Sequence, residues 1–341
     1  MAGFKEYSFE QSRFIPVSLS QQIQPGTIEY TINYLVDNEI DLSAFGRRFH
    51  NDENGAPAFD PAILLKIVLF AYSRGIISSR KIAQCCEENV VFMALSADSR
   101  PHFTTIGEFV WTMDEEIVSV FTDVLTVCYA EGLIGRRMFA IDGCKIAANC
   151  AKEWSGTKKE LLKKAQKIEE SIREIMNKHR DGDHGQGGAG GTTEGERQRL
   201  ETLQTKAKKI RRWLEENEDR IGERGKPIKS NLTDNESAKM PSAHGVIQGY
   251  NGLAAVDEKH QVIVHAQAFG DGTEAKHLSN MVEGIRTTFE HLEPDGDVYQ
   301  QVVLTADSGF HSEESVKKLL DGDIDAYVAD RKFRQRAGYF P

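Results

Sequence analysis

The chain has 341 residues, 40% of them hydrophobic and 28% charged, enough apolar material for two or three folded domains. No run of about 18 apolar residues occurs and Met1–Glu10 shows no basic-then-apolar pattern, so neither a membrane span nor a secretion signal is expected. With 42 Lys+Arg against 52 Asp+Glu the net charge is −10, so any hold on nucleic acid must rest on local basic patches.

The first stretch, residues 1–135, reads as an all-α domain. Asp60-Pro61 gives an N-cap followed by proline at the first helical position, and Ile63, Leu64, Ile67, Val68 and Ala71 recur at helical spacing before Gly75. Ser78 or Ser79 is placed to cap a second helix through Ile82, Ala83 and Cys86. Thr104 or Thr105 is placed to cap a third, with Ile106, Phe109, Val110 and Met113 on one face and Trp111 read as core. A fourth carries Ile117, Val118, Phe121, Leu125 and Cys128 and ends near Gly132. Short helices on short turns resemble a helix-turn-helix arrangement, in which Arg74, Arg80 and Lys81 would hold DNA phosphates.

Residues 152–230 interrupt what surrounds them. Leu161, Ala165, Ile168, Ile172 and Ile175 form one heptad-like stripe, and Leu200, Leu203, Ala207, Ile210 and Leu214 form another. The polar, Gly-rich stretch from Asp181 to Glu196 separates them, so an inserted antiparallel helical hairpin is expected, with arms short enough to need support from the body or a partner. From Lys152 to Lys229 there are 20 Lys+Arg against 15 Asp+Glu, a net +5 on an acidic chain, and Arg331, Lys332, Arg334 and Arg336 form another basic patch.

The remaining segments, 136–151 and 231–341, read as one α/β domain. Met138–Asp142 is a short apolar strand ending in an acid. Val246–Val256 and Gln261–Ala268 follow as an antiparallel pair, because only a tight link joins them. A helix spans Leu278 to Leu292. Gln301–Asp307 is a strand again ending in an acid, Ser312 caps a short helix, and Asp325–Ala329 is a fifth strand. Strand, strand, strand, helix, strand, helix, strand, with helical links long enough for parallel crossovers, gives a mixed five-stranded sheet of RNase H-like topology.

In that topology the first and fourth strands are neighbours, which brings Asp142 and Asp307 to one rim of the sheet, and Gly143 and Gly309 allow sharp turns beside them. The two acids are 165 residues apart, and 86 once the insertion is removed. Adjacent carboxylates repel unless a cation lies between them, and their hard oxygens suit Mg²⁺ (or Mn²⁺), the pairing used to activate a nucleophile on a phosphodiester. Lys145 is a candidate phosphate contact, and Asn149, Lys152, His311, His244 and His265 are weaker candidates; Tyr250 reads as packing. Cys85, Cys86, Cys128, Cys144 and Cys150 form no CxxC pair, which fits free thiols in a reducing cytoplasm rather than a zinc site.

The segments FDPAILLKIVLFAYSRGIISSRKIAQCC, RPHFTTIGEF, FAIDGCKIAANCAK, VIQGYNGLAAVDEKHQVIVHAQAF, VLTADSGFHSEE and IDAYVADRKFRQR resemble bacterial insertion-sequence transposases of the DDE class, with an InsH-type helical N-terminal domain. The resemblance implies metal-dependent DNA strand cleavage and transfer at element ends, a homo-oligomer on DNA, and a cytoplasmic, nucleoid-associated location. By position it makes Asp142 and Asp307 the first two catalytic, metal-holding aspartates. The family also carries a catalytic glutamate on a helix after the fifth strand. After Ala329 this sequence has only Asp330, and the expectation is a C-terminally truncated enzyme. Two other functions fit less of the sequence: a catalytically inactive DNA-binding remnant that regulates a full-length enzyme, and an actin-like phosphotransferase, whose phosphate loops would be richer in Gly and Thr.

Overall fold

The computed structural model describes residues 16–47, 57–183, 194–222, 225–242, 245–294, 296–330 and 332. The chain divides into two compact units, Met1–Leu133 and Ile134–Pro341. His244, the centre of the hairpin tip and the basic residues Arg331, Arg334 and Arg336 lie outside the described residues. No helix among the described residues is long and apolar enough to cross a membrane.

The first unit holds helices α1 (Ile28–Asn38), α2 (Ser43–Gly46), α3 (Pro61–Ser73), α4 (Ser79–Glu88), α5 (Val90–Leu95), α6 (Phe103–Thr112) and α7 (Asp114–Ala130). The Asp60 carboxylate accepts the Ala62 N–H at 2.8 Å, so α3 starts on its side-chain cap with Pro61 at the first turn. This helix is apolar nearly all round, and the core closes over it: Leu64, Leu65, Ile67, Phe70 and Ala71 are buried. Lys66 is buried with them, its ammonium 2.6 Å from Asp37 of α1. Phe45 stacks on Phe109, and Phe70 meets Phe92 with the rings tilted at 58°. The cap of α6 is His102, not Thr104 or Thr105: its ring nitrogen accepts the Thr104 N–H and bonds the Thr104 hydroxyl at 2.8 Å. Trp111 is not core; it is 85% exposed, roughly 140° round the helix from Ile106 at about 100° per residue.

The second unit is built on a mixed sheet. Its strands are β1 (Met138–Ala147), β2 (Ala238–Ser242), β3 (Gly245–Asp257), β4 (Ile263–Phe269), β5 (Val303–Ala306) and β6 (Ala326–Val328). The order is β6-β5-β1-β3-β2, with β4 also on β3. One edge of β3 pairs with β1, and the other pairs with β2 near Gly249 and with β4 from Asn251 onward. Pairing is parallel in β6-β5-β1 and antiparallel elsewhere. The expected count of five strands is corrected to six, since Ala238–Ser242 adds an edge strand whose Pro241 has no N–H to donate. Helix α10 (Leu278–Leu292) covers one face of the sheet, with Phe289 stacked on Phe139, and α11 (Glu313–Asp321) links β5 to β6. The buried Asp257 carboxylate accepts the N–H groups of Gly135, Arg136 and Lys259, which fastens the start of β1 to the end of β3.

Between β1 and β2 stands the hairpin of α8 (Lys158–Asp183) and α9 (Glu194–Glu216), both reaching into the stretch read as a structureless tip. Leu161, Ala165, Ile210 and Trp213 bury their side chains with Leu232, and Trp154 packs against them. The hairpin root therefore rests on segments that flank it in sequence. Arg211 of α9 grips Glu169 of α8 with two 2.8 Å hydrogen bonds.

Candidate active site

Strand β1 alternates. Phe139, Ile141, Gly143 and Lys145 lie on the face covered by α10, and Ala140, Asp142, Cys144 and Ile146 lie on the other. Asp142 is exposed and does not end its strand. The antiparallel partner β3 carries β1 on to Ala147, and only the parallel partner stops, at the pair Ile141↔Ala306. Gly143 is accordingly no turn residue. It sits in the ladder opposite Leu253, where a Cβ would stand 2.6 Å from Leu253 Cδ2.

Asp307 follows β5 directly. Its backbone is still extended (φ −74°, ψ 176°), and its carboxylate accepts the Gly309 N–H at 2.7 Å to start a short 3-10 turn, Ser308–Phe310. The register Phe139↔Leu304, Ala140↔Thr305, Ile141↔Ala306 ends one residue before Asp142 on β1 and one residue before Asp307 on β5. Neighbouring strands run about 4.8 Å apart. Each carboxylate spends one oxygen on a local N–H, Asp142 on Gly143 at 2.7 Å and Asp307 on Gly309.

On the α10 side of the sheet three residues form a network that the sequence did not disclose. Lys145 Nζ donates to Asn251 Oδ1 at 2.8 Å and to Glu274 Oε1 at 2.7 Å. Glu274 comes from the loop between β4 and α10. Asp271 fixes that loop by accepting from the Thr273 N–H at 3.0 Å and from His277 Nε2 at 2.9 Å, and by pairing with Lys276 at 2.9 Å. Burial works to raise the Asp271 carboxyl, but the hydrogen bonds from Lys276 and His277 bring it below the usual carboxylate range. Glu274 also reaches the Asp307 turn. A Cβ at Gly309 would meet Glu274 Oε2 at 2.5 Å and Asp307 Oδ1 at 2.9 Å, and one at Gly143 would meet Glu274 Oε1 and Asn251 Oδ1, each at 3.4 Å. Glycine at both positions leaves room for this carboxylate between the two strands. Asn251 is fully buried, and its Nδ2 has no hydrogen-bond partner among the described residues.

The fold thus pairs the residues that immediately precede Asp142 and Asp307 and sets Glu274 against the Asp307 turn. It places Lys145 on the opposite face of β1 from Asp142. His265 is remote from this network; it lies on β4 against Gly284 of α10, and burial lowers its imidazole below the usual value. Tyr250 is half-buried and donates its hydroxyl to Asp234 at 2.6 Å. Lys152 donates to the Val246 carbonyl at 3.4 Å. In the first unit Arg74 lies 4.0 Å from Glu29 and over the Phe70 ring, Arg80 lies over Phe103 at 4.2 Å, and Lys81 is exposed.

The hard oxygens of Asp142 and Asp307 fit Mg²⁺ or Mn²⁺, cations commonly held by one or two carboxylates with water and substrate phosphates filling the rest. Among the described residues no three His, Cys, Asp or Glu side chains gather to hold a metal ion.

Residues 17–110 match the family model described as a transposase domain (DUF772), a span that runs from before α1 into α6. Comparison with curated proteins and with solved structures gives no match.

Proposed function

We propose that the chain is a DDE-type transposase that cuts and transfers DNA strands at insertion-sequence ends, with an RNase H-like second unit carrying the reaction. The observation that supports this reading is the parallel β1–β5 register, whose last pair, Ile141↔Ala306, stands one residue before Asp142 and Asp307. The transposase-domain match of the first unit and the parallel β6-β5-β1 half of the sheet support it.

Asp142 and Asp307 would hold Mg²⁺ (or Mn²⁺), which supplies positive charge to the phosphodiester and acidity to a bound water or hydroxyl. The Gly143 and Gly309 N–H groups orient one oxygen of each carboxylate and leave the other for this task. Lys145 commits two of its three ammonium hydrogens to Asn251 and Glu274; the third would serve a phosphate oxygen only on the face of β1 opposite Asp142. Arg74, Arg80 and Lys81 of the helical unit are assigned phosphate contacts that place the element end. A homo-oligomer on DNA, in a bacterial cytoplasm and associated with the nucleoid, completes the proposal.

The test is cleavage of supercoiled DNA bearing candidate element ends, with Mg²⁺ or Mn²⁺. The expected result is nicking that Asp142→Ala and Asp307→Ala each reduce by about 100-fold or more, since each acid supports the charge that develops at the phosphate. Nicking by Asp142→Ala at the rate of the unaltered chain overturns the assignment. A second reading, a DNA-binding regulator that does not cut, shares the transposase-domain match of the first unit. It predicts metal-independent DNA binding with no nicking by any variant.

A further inference from the structure

The root of the hairpin gathers positive charge around one indole. Lys164 of α8 holds its ammonium 4.0 Å from the centre of the Trp154 ring, and Lys206 of α9 holds its own 5.8 Å from the same centre. Lys164 is anchored there by donating to the Glu153 carbonyl at 2.7 Å. Lys239, exposed on β2, lies near enough to repel it, as does Lys206. Burial, reinforced by those two neighbours and opposed by Glu153, pushes the Lys164 ammonium below its usual value. Neither Lys206 nor Lys239 has an ion-pair partner among the described residues, whereas Lys158 and Lys229 nearby are paired with Glu218 and Glu160.

Two ammonium groups, one from each helix, therefore flank one half-buried aromatic, and a third from β2 stands near the first, on a chain of net charge −10. Mutual repulsion at one spot is a cost that a bound polyanion removes. A duplex offers about one charge per 1.7 Å of axis on a stiff rod, and its condensed counterions are released on contact. A flexible acidic polypeptide would first lose chain entropy on binding, a cost that a stiff duplex does not carry. We infer that the surface formed by Trp154, Lys164, Lys206 and Lys239 is a docking face for the phosphodiester backbone of DNA, without base reading. It makes the inserted hairpin a second handle on DNA, separate from Asp142 and Asp307.

The experiment is a fluorescence-anisotropy titration of the full chain with a labelled 30-base-pair duplex of arbitrary sequence, in EDTA, across about 50–300 mM KCl. For Lys206→Gln/Lys239→Gln the expected result is a loss of affinity of about tenfold or more at the lowest salt, and a fall in the log–log salt slope of about 2, near 0.9 per lost phosphate contact. Lys206→Arg/Lys239→Arg should retain both. Circular dichroism and the melting temperature should not change, because both side chains are exposed. Unchanged affinity and slope in the Gln variant overturn the inference. So does a polyglutamate chain that binds this face with the same lysine dependence while DNA binding ignores it. Because EDTA removes the divalent cation, the result does not depend on whether Asp142 and Asp307 cut DNA.

Discussion

Glu274 shows how much a single side chain can tie together, since its two oxygens reach Lys145 of β1 and the turn that carries Asp307. The Lys145–Glu274 pair is about one-fifth exposed on each side, so its loss is not screened away as a surface pair would be. Glu274→Ala leaves the ammonium with Asn251 alone and should cost about 1–3 kcal/mol in urea unfolding, with Glu274→Gln costing less because the amide oxygen still accepts. A second residue reads out pH. Burial holds the folded His265 below its ordinary value, so the fold prefers the neutral ring, and the unfolded chain binds the extra proton first. Its contribution is complete above the unfolded value near 6.5 and is lost as the pH falls below it. The urea midpoint should drop between pH 7.5 and 5.5, and His265→Gln should shrink that drop. The two aspartates stand out in the sequence because each follows a short apolar run, although β1 continues past Asp142. The Lys145–Asn251–Glu274 network was not, because its members are 106 and 129 residues apart and meet only through the β1–β3 pairing and the Asp271 loop.

At the scale of elements, periodicity found most of the helices and strands but missed α1, α2 and α5, and strand ends followed hydrogen bonding rather than hydropathy. β1 runs five residues past Asp142 because β3 continues to pair with it, although Gly143 and Lys145 look like a loop in sequence. β2 escaped notice because Ala238–Ser242 is short, contains proline and joins the sheet only at its edge. The β1–β3 ladder makes a sharp demand at Gly249, where a Cβ would run into the Ile146 carbonyl oxygen. Gly249→Ala should cost about 1–3 kcal/mol through overpacking that backbone cannot relieve, measured by denaturant unfolding. The hairpin depends on its root. Ile210 is fully buried among Leu161, Ala165, Trp213 and Leu232, and Ile210→Ala should cost about 2–5 kcal/mol while leaving the exposed lysines in place.

At the scale of the molecule, sequence texture separated a helical first part from a sheet-bearing second part, and the chain divides into two compact units between Leu133 and Ile134. The first unit buries a core drawn from its own helices, with Phe45, Ile67, Phe92 and Ile106 fully enclosed, and the second buries Phe139, Leu304 and Phe289 around its sheet. What sequence could not show was where a chain of net charge −10 gathers positive charge on its surface, because charge is placed by the fold and not by the sum. The claim on which the functional account turns is that Asp142 and Asp307 act as one cation site. Titration of the full chain with Mn²⁺, following free ion by electron paramagnetic resonance, tests it in the unaltered chain, in Asp142→Asn, in Asp307→Asn and in the double variant. The account predicts that each single substitution abolishes the same binding step and that the double variant loses nothing more. Binding that survives both substitutions, or losses that simply add, would contradict it.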